Sequence, residues 1–270
     1  MNGTVLVAND DGFNASGLWL LIDVIRDLGF NVFFASTLKP FSGSGKSITW
    51  SFKAERKRIN GVDGVIVDAT PSTAVLFSLR NLGITPEFIV SGINHGANLG
   101  IEDIHTSGTF GAALEGVLQG YPSIAISKYL AGNSMEGVIF SERDKRYVKM
   151  IIEAFWSFIM DEDSIECMPF NVNLPWMEPR GFAITRLSNK VYNAIRFEKQ
   201  NNVYSLSRGL TGFYDNGLEE CNDIWAVYNS YVSVTPICVR CLLYRDTRAC
   251  LDRCNLRRLI EGLDNGVYCL

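Results

Sequence analysis

Near its beginning the chain reads Val5-Leu6-Val7-Ala8-Asn9-Asp10-Asp11-Gly12, an apolar run of strand length that ends in two adjacent carboxylates and a glycine. A near-continuous apolar run is typical of a strand buried on both faces of a parallel sheet, and ligands of open α/β sheets bind beyond the carboxyl ends of such strands. Two neighbouring carboxylates repel each other unless a cation or a shared proton intervenes, and oxygen ligands favour Mg²⁺, Mn²⁺ or Ca²⁺. Asp10 and Asp11 therefore indicate a metal site, with a solvated turn as the alternative.

Apolar runs of this kind alternate with amphipathic helical patterns over the first two thirds of the chain. The predicted strands cover residues 4–8, 32–36, 64–67, 88–91, 123–127 and 170–174, and the predicted helices cover residues 16–28, 72–82, 109–118 and 145–160. This order predicts an α/β fold with a doubly wound, mostly parallel sheet and right-handed crossovers. The aromatic-rich segments 182–187, 202–207 and 231–235 predict hairpins that project from the core and serve assembly.

Composition excludes several classes of protein. With 270 residues, 47% hydrophobic content, 20% charged content and a net charge of −4, the chain can form a sizeable core and lacks the basic balance of a nucleic-acid binder. Neither a signal peptide nor a membrane-spanning apolar run is recognisable, so we expect a cytoplasmic protein without a membrane partner.

The seven cysteines all lie between Cys167 and Cys269. In a cytosolic chain we expect reduced thiols. The short spacings of Cys238 to Cys241 and of Cys250 to Cys254 would also permit a structural zinc ion, whereas burial as small apolar residues is the plainer alternative.

A second candidate loop, residues 42–47, reads Ser-Gly-Ser-Gly-Lys-Ser and invites comparison with a nucleotide-binding P-loop. A P-loop requires a glycine five residues before its Gly-Lys pair, where this chain has Pro40. The loop is therefore suited to phosphate contact, or to a Ser42 hydroxyl that approaches a metal, and a mobile surface loop is the alternative.

Two further segments carry polar groups to the ends of predicted elements. Asn94 follows the strand 88–91 and offers a neutral oxygen ligand for a hard metal, while the adjacent His95 is more typical of a supporting residue than of a ligand. Ser107, Gly108 and Thr109 precede a helix whose unpaired N–H groups and dipole favour a phosphate, although simple capping explains them equally.

In chain order, these motifs resemble the SurE survival-protein family of metal-dependent 5′-nucleotidases. The family pattern is Asn-Asp-Asp-Gly, Ser-Gly-x-Gly-x-Ser-Ile-Thr, Ser-Gly-Ile-Asn-x-Gly-x-Asn and Ser-Gly-Thr, and its counterparts here are residues 9–12, 42–49, 91–98 and 107–109. Weaker landmarks extend the resemblance to about residue 236. They lie at residues 171–175, 185–186, 223–227 and 231–236.

The resemblance implies one divalent ion, Mg²⁺ or Mn²⁺, on Asp10, Asp11, Ser42 and Asn94. It also implies hydrolysis of nucleoside 5′-monophosphates with broad tolerance, 3′-monophosphates being a further class to test. A single Rossmann-like domain over residues 1–270 is implied, with a core over about 1–180 and an assembly region over about 181–270 that joins homodimers or homotetramers. Either water or the Asp10 carboxylate can be the attacking group.

The phosphate or substrate contacts expected here are Asn9, Lys46, Ser107, Gly108 and Thr109. The chain departs from the family pattern in three places. Thr73 stands where an acidic residue is usual, Lys46 replaces a histidine, and the stretch before Ser107 is one residue longer, which places Thr106 where an aromatic residue or a histidine is common.

These departures leave open a catalytically weak or inactive nucleotide-binding regulatory module of the same fold. Two other classes fit less well. A haloacid-dehalogenase-like phosphatase requires a second Asp where Gly12 stands, and a dinucleotide-binding module requires a Gly-x-Gly-x-x-Gly loop after the first strand.

Overall fold

The computed structural model describes residues 3–130, 140–160, 168–189, 193–210, 219–239, 263 and 266–268. The strands are β1 (Thr4–Asn9), β2 (Asn31–Thr37), β3 (Ala54–Ile59), β4 (Val62–Val67), β5 (Phe88–His95), β6 (Ser123–Lys128), β7 (Phe170–Leu174), β8 (Gly181–Ile184), β9 (Asn193–Gln200), β10 (Val203–Leu210), β11 (Tyr231–Pro236) and β12 (Val267–Tyr268). The helices are α1 (Ser16–Asp27), α2 (Pro71–Arg80), α3 (Gly100–Thr106), α4 (Gly108–Leu118), α5 (Glu142–Ile159) and α6 (Asp223–Tyr228).

Ten of the described strands form one sheet in the order β12-β8-β11-β7-β6-β5-β1-β2-β4-β3. Most neighbours are parallel, and the antiparallel pairs are β3 with β4 and β7 with β11. From β1 the chain winds outward through β2 and β4, and then returns to place β5 on the other side of β1. The switch point of this doubly wound sheet therefore lies between β1 and β5, where open α/β sheets bind their ligands.

The two faces of the sheet carry different helices. Val5 and Val7 of β1 belong to a core cluster with α1 and α5, and Leu6 and Ala8 belong to a second cluster with α2 and α4. Because side chains alternate along a strand, Asn9 lies on the α1 and α5 face of the sheet and Asp10 lies on the α2 and α4 face.

The predicted fold class is confirmed, and the elements predicted over the first 174 residues agree with the structure within a few residues. Two elements of that part were missed. β3 is an exposed, charged edge strand, and α3 is a single short helix, so neither has the apolar periodicity on which the prediction depends.

The hairpin interpretation is confirmed for one of the three C-terminal segments. β10 pairs with β9 as an antiparallel hairpin in a separate two-stranded sheet. It is wrong for residues 182–187 and 231–235, because β8 and β11 are parallel neighbours within the main sheet. β8 is fully buried and β11 is buried after its first residue, Tyr231, so their apolar side chains extend the core.

Cys221 is disulfide-bonded, so the expectation of reduced thiols is wrong for this residue. The zinc spacings lie mostly outside the described residues, because Cys241, Cys250 and Cys254 belong to the undescribed part of the chain. No helix within the described ranges is both long enough and apolar enough to cross a bilayer.

Candidate active site

The two aspartates sit at the switch point, directly after β1. Asp10 is 4% exposed, and its Oδ1 accepts a hydrogen bond from Thr109 Oγ1 at 2.5 Å. Burial, and next to it the charge of Asp11, raises the pKa of Asp10 to about 7. Two negative charges are therefore unfavourable in this site unless a cation or a proton accompanies them.

Asp11 is fixed from the neighbouring strand. Its Oδ2 accepts a hydrogen bond from the backbone N–H of His95 at 3.0 Å, and burial raises the pKa of this carboxyl as well. The His95 ring lies beside Ser16, with 3.3 Å between Nε2 and Oγ, and packs against Phe140. The backbone of His95 thus supports Asp11, while its ring contacts Ser16 and Phe140.

Asn94 precedes His95 at the end of β5, so it reaches the same edge of the sheet as the aspartates. Its Nδ2 donates to the carbonyl oxygen of Gly96 at 2.7 Å, which leaves the side-chain oxygen for another partner. A shift in strand register between Gly92 and Asn94 accompanies this turn of the chain.

The loop that contains Ser42 is tied to the first aspartate. The N–H of Phe41 donates to the carbonyl oxygen of Asp10 at 2.9 Å, and the N–H of Gly45 donates to the carbonyl oxygen of Thr106 at 2.9 Å. Ser42 is exposed between these two anchors. A β-carbon on Gly45, which has φ of +55°, would lie 2.6 Å from the carbonyl oxygen of His105, so the close approach depends on glycine.

Thr106, at the departure from the family pattern, is the last residue of α3. Its hydroxyl donates to the carbonyl oxygen of Glu102 at 3.2 Å, within the same helix, and its own carbonyl oxygen accepts the N–H of Gly45.

The N-terminus of α4 faces Asp10. Ser107 caps the helix, because its Oγ accepts the N–H of Phe110 at 3.0 Å. Gly108 lies against the aspartate, since a β-carbon there would be 2.6 Å from Asp10 Oδ2. The N–H groups that begin a helix have no acceptor within it, so this end presents donors beside the carboxylate.

The side chains of Lys46 and Asn9 have different surroundings from the residues that border Gly108. The Nζ of Lys46 is 2.7 Å from Oε2 of Glu115, a nearly buried residue of α4, so the extra positive charge is paired within the protein. Asn9 is fully buried on the opposite face of the sheet, and neither polar atom of its side chain has a hydrogen-bond partner among the described residues. Their phosphate contacts stay predictions.

Thr73 has a structural use. Its Oγ1 accepts the N–H of Thr49 at 2.8 Å and lies 2.8 Å from Oγ1 of Thr70. These contacts join the start of α2 to the segment that follows the Ser42 loop, which a hydroxyl does without adding charge.

Sequence reasoning missed three features of the site. The backbone N–H of His95 has no sequence signature, because every non-proline residue carries one. Glu115 had a usable signal, as a lone acid in an otherwise apolar helix. Ser44 stood in the quoted loop but received no role.

Together, the fold and the site define a doubly wound α/β protein with paired carboxylates at its switch point, facing a helix N-terminus. The family model described as "Survival protein SurE" matches residues 5–194. This chain belongs to the SurE family.

Individual relatives cover most of the chain. The 5′-nucleotidase SurE of Campylobacter concisus is 35% identical over 243 residues, which is 86% of this chain and 91% of the relative. The 5′-nucleotidase SurE of Ehrlichia ruminantium (strain Gardel) is 32% identical over 246 residues, 86% and 92% respectively. The crystal structure of the SurE protein from Aquifex aeolicus matches with a TM-score of 0.69 and 31% identity, over 93% of this chain and 97% of that one.

Proposed function

We propose that this protein is a metal-dependent phosphomonoesterase that hydrolyses nucleoside 5′-monophosphates to nucleoside and phosphate. The observation that carries the proposal is the placement of Asp10 against the N-terminus of α4, with the carboxylate of Asp11 next to it in the chain. The relatives named 5′-nucleotidase SurE support the substrate class.

The charge balance of the site supports one Mg²⁺ or Mn²⁺ ion. Within the described ranges neither Asp10 nor Asp11 forms an ion pair, although burial raises the pKa of both carboxyls. No group of three or more His, Cys, Asp and Glu side chains in those ranges could hold a metal, so the remaining ligands must come from neutral oxygens. Ser42 and Asn94 would supply such oxygens.

When bound, a divalent ion would polarise a phosphoryl oxygen and neutralise charge on the transferring group. The protein residues have separate tasks. Thr109 fixes the rotamer of Asp10, His95 fixes Asp11 through its N–H, and Ser107 caps α4. The hydroxyl of Thr109 already donates to Asp10, whereas the hydroxyl of Ser107 accepts from Phe110 and keeps its own proton to donate. The groups of this segment that would hold the phosphate are therefore the Ser107 hydroxyl and the backbone donors at Gly108 and Thr109.

A homodimer or homotetramer in the cytoplasm is part of the proposal. The β9 and β10 hairpin exposes Phe197, Tyr204 and Leu206. The strand register places these three residues on one face of the hairpin, so this surface suits contact between copies of the chain.

Phosphate release from a panel of nucleoside 5′- and 3′-monophosphates tests the activity, with Mn²⁺, Mg²⁺ or EDTA present and with the Asp10→Asn variant in parallel. We expect release from 5′-monophosphates that depends on metal and disappears in the variant. Nucleotide binding without release, with Mn²⁺ present, would replace the enzyme with the regulatory-module alternative.

A further inference from the structure

Strand β7 carries two fully buried asparagines, Asn171 and Asn173. Both donate through Nδ2 to the backbone carbonyl oxygen of Asn98, at 2.8 Å and 3.1 Å. The Oδ1 of Asn173 also accepts the backbone N–H of Asn98 at 2.8 Å. The side chain of Asn173 therefore binds both polar groups of one backbone residue, as a neighbouring strand would do.

Asn98 lies in the segment that leaves β5 and passes the ends of β6 and β7 before α3 begins. Gly96 forms an isolated antiparallel bridge with Lys128, the last residue of β6, to whose carbonyl oxygen its N–H donates at 3.1 Å. The side chain of Asn98 donates to Oγ of Ser127 at 2.7 Å. Because residues 97–99 belong to no helix or strand, side-chain contacts of this kind hold their backbone.

The same segment determines the orientation of Asn94. The Nδ2 of Asn94 donates to the carbonyl oxygen of Gly96 at 2.7 Å, and without this acceptor the amide could rotate over a broad range. Gly96 has φ of +122°, and glycine populates many conformations, so its own preference does not hold the peptide in place. The hydrogen bonds on either side of Gly96 must therefore do so.

Asparagine is an unusual choice for two fully buried positions of a central strand, where apolar residues are usual. A buried amide costs free energy unless it is hydrogen-bonded, and Oδ1 of Asn171 has no partner among the described residues. This cost suggests that the two amides serve the segment that they bind.

We propose that Asn173 is a positioning residue for the metal site, which fixes the backbone of residues 96–98 and so keeps the side-chain oxygen of Asn94 turned away from Gly96 and free for the ion. The inference rests on the proposed function for the presence of the metal. Residues that orient a metal ligand affect the affinity for the metal without touching it.

The test measures the affinity for Mn²⁺ by electron paramagnetic resonance, without substrate, in the wild type, in Asn173→Ala and in Thr185→Ala. Thr185 is the matched control, because its buried hydroxyl also has two side-chain partners, Ser233 and Thr235, each at 2.8 Å. We expect Asn173→Ala to bind Mn²⁺ about tenfold more weakly. Thr185→Ala should unfold at a lower urea concentration than the wild type but bind Mn²⁺ within about twofold of it.

Asn171→Ala is the graded variant. Asn98 would keep both of its bonds to Asn173, so the affinity for Mn²⁺ should fall only about threefold. If Asn173→Ala does not fold, Asn171→Ala decides the question, and an affinity equal to that of the wild type would overturn the proposal.

Hydrogen exchange in EDTA tests the backbone contact without the metal. The amides of residues 95–99 should exchange faster in Asn173→Ala than in Thr185→Ala. An unchanged Mn²⁺ affinity in folded Asn173→Ala would overturn the proposal, and so would an equal loss in Thr185→Ala, which would make the effect one of general stability.

The same measurements separate this inference from the proposed function. Since Mn²⁺ binding requires no turnover, a protein whose Mn²⁺ affinity depends on Asn173 but which releases no phosphate would refute the proposed activity alone. A wild type that binds no Mn²⁺ would refute the metal dependence and this inference with it.

Discussion

Two buried aspartates of this molecule, Asp223 and Asp10, differ in their hydrogen-bond donors and in the charges next to them. Asp223, at the start of α6, is fully buried, and its carboxylate accepts the N–H groups of Gly100 at 2.7 Å, Ser188 at 2.9 Å and Ile224 at 3.0 Å. Asp10 is almost as buried but receives a single side-chain hydroxyl and has a second carboxylate next to it. Burial raises the pKa of both, to about 6 for Asp223 and about 7 for Asp10.

The difference lies in the donors and not in the depth. Three backbone donors satisfy the Asp223 carboxylate and join α3, the segment after β8 and α6, which is the work of a structural residue. The pair at the end of β1 carries like charges, and its side-chain and strand donors are the Thr109 hydroxyl on Asp10 and the His95 N–H on Asp11. We therefore expect a cation to complete this site. Buried acids alone therefore do not locate a metal site.

The largest effect that tests this comparison is on activity. Asp10→Asn should lower phosphate release by about a thousandfold, because a metal contribution of several kcal/mol depends on that carboxylate. In EDTA the same variant should unfold at an equal or higher urea concentration than the wild type, since it removes a desolvated, repelled charge.

Asp223→Asn is the matched variant, with the opposite expectation. One of the two side-chain positions would become an NH₂ group facing a backbone N–H, so we expect the free energy of unfolding to fall by about 2 kcal/mol. The affinity for Mn²⁺ should be unchanged. A larger loss of Mn²⁺ affinity in Asp223→Asn than in Asp10→Asn would refute the comparison.

A substitution at Gly108, where Asp10 and Ser44 pack closely, should give the next largest effect on activity. In Gly108→Ala the new methyl group would lie less than 3 Å from both Asp10 Oδ2 and Ser44 Oγ, so kcat/KM should fall by about a hundredfold, a loss of nearly 3 kcal/mol in transition-state binding. The helix itself should not suffer, because alanine favours helix over glycine.

Gly43→Ala is the control for this substitution. Gly43 has φ of +77°, and a β-carbon there meets nothing within 4 Å. That variant should lose about 1 kcal/mol of stability through backbone strain and keep its activity. Equal losses of activity in the two variants would show that loop strain, and not the close packing around Gly108, controls the reaction.

The sequence predicted the sheet better than it predicted the contacts within the site. Apolar runs and helical periodicity located the strands and helices up to residue 174, because burial on two faces leaves a readable pattern. The strand ends then placed Asp10, Asp11 and Asn94 at one edge. The pairing of Lys46 with Glu115 and the parallel placement of β8 beside β11 arise from tertiary packing, which local patterns do not record.

Asp10 and Asp223 should also differ in how they make the free energy of unfolding depend on pH. Both carboxyls have an ordinary pKa of 3.8 and a raised pKa in the folded protein, so the folded state binds more protons. Their contribution to stability is fully present below about pH 4 and is lost as the pH rises, up to about pH 6 for Asp223 and about pH 7 for Asp10.

Urea unfolding in EDTA at several pH values between 4.5 and 7.5 measures this dependence. The difference in unfolding free energy between the wild type and Asp10→Asn should change up to about pH 7, whereas the difference for Asp223→Asn should level off near pH 6. Added Mn²⁺ should offset the loss in the wild type but not in Asp10→Asn. A pH-independent difference for Asp10→Asn would contradict the assignment.

The smallest effect concerns Lys46, and it decides whether this residue belongs to the site or to the scaffold. In Lys46→Met the nearly buried carboxylate of Glu115 loses its partner, so the free energy of unfolding should fall by about 1–2 kcal/mol, while phosphate affinity changes less than about threefold. The double variant Lys46→Met with Glu115→Gln should recover most of that stability, because no unpaired charge remains. If instead Lys46→Met weakened phosphate binding about tenfold and left stability unchanged, Lys46 would be a phosphate contact, and its pairing with Glu115 would be incidental.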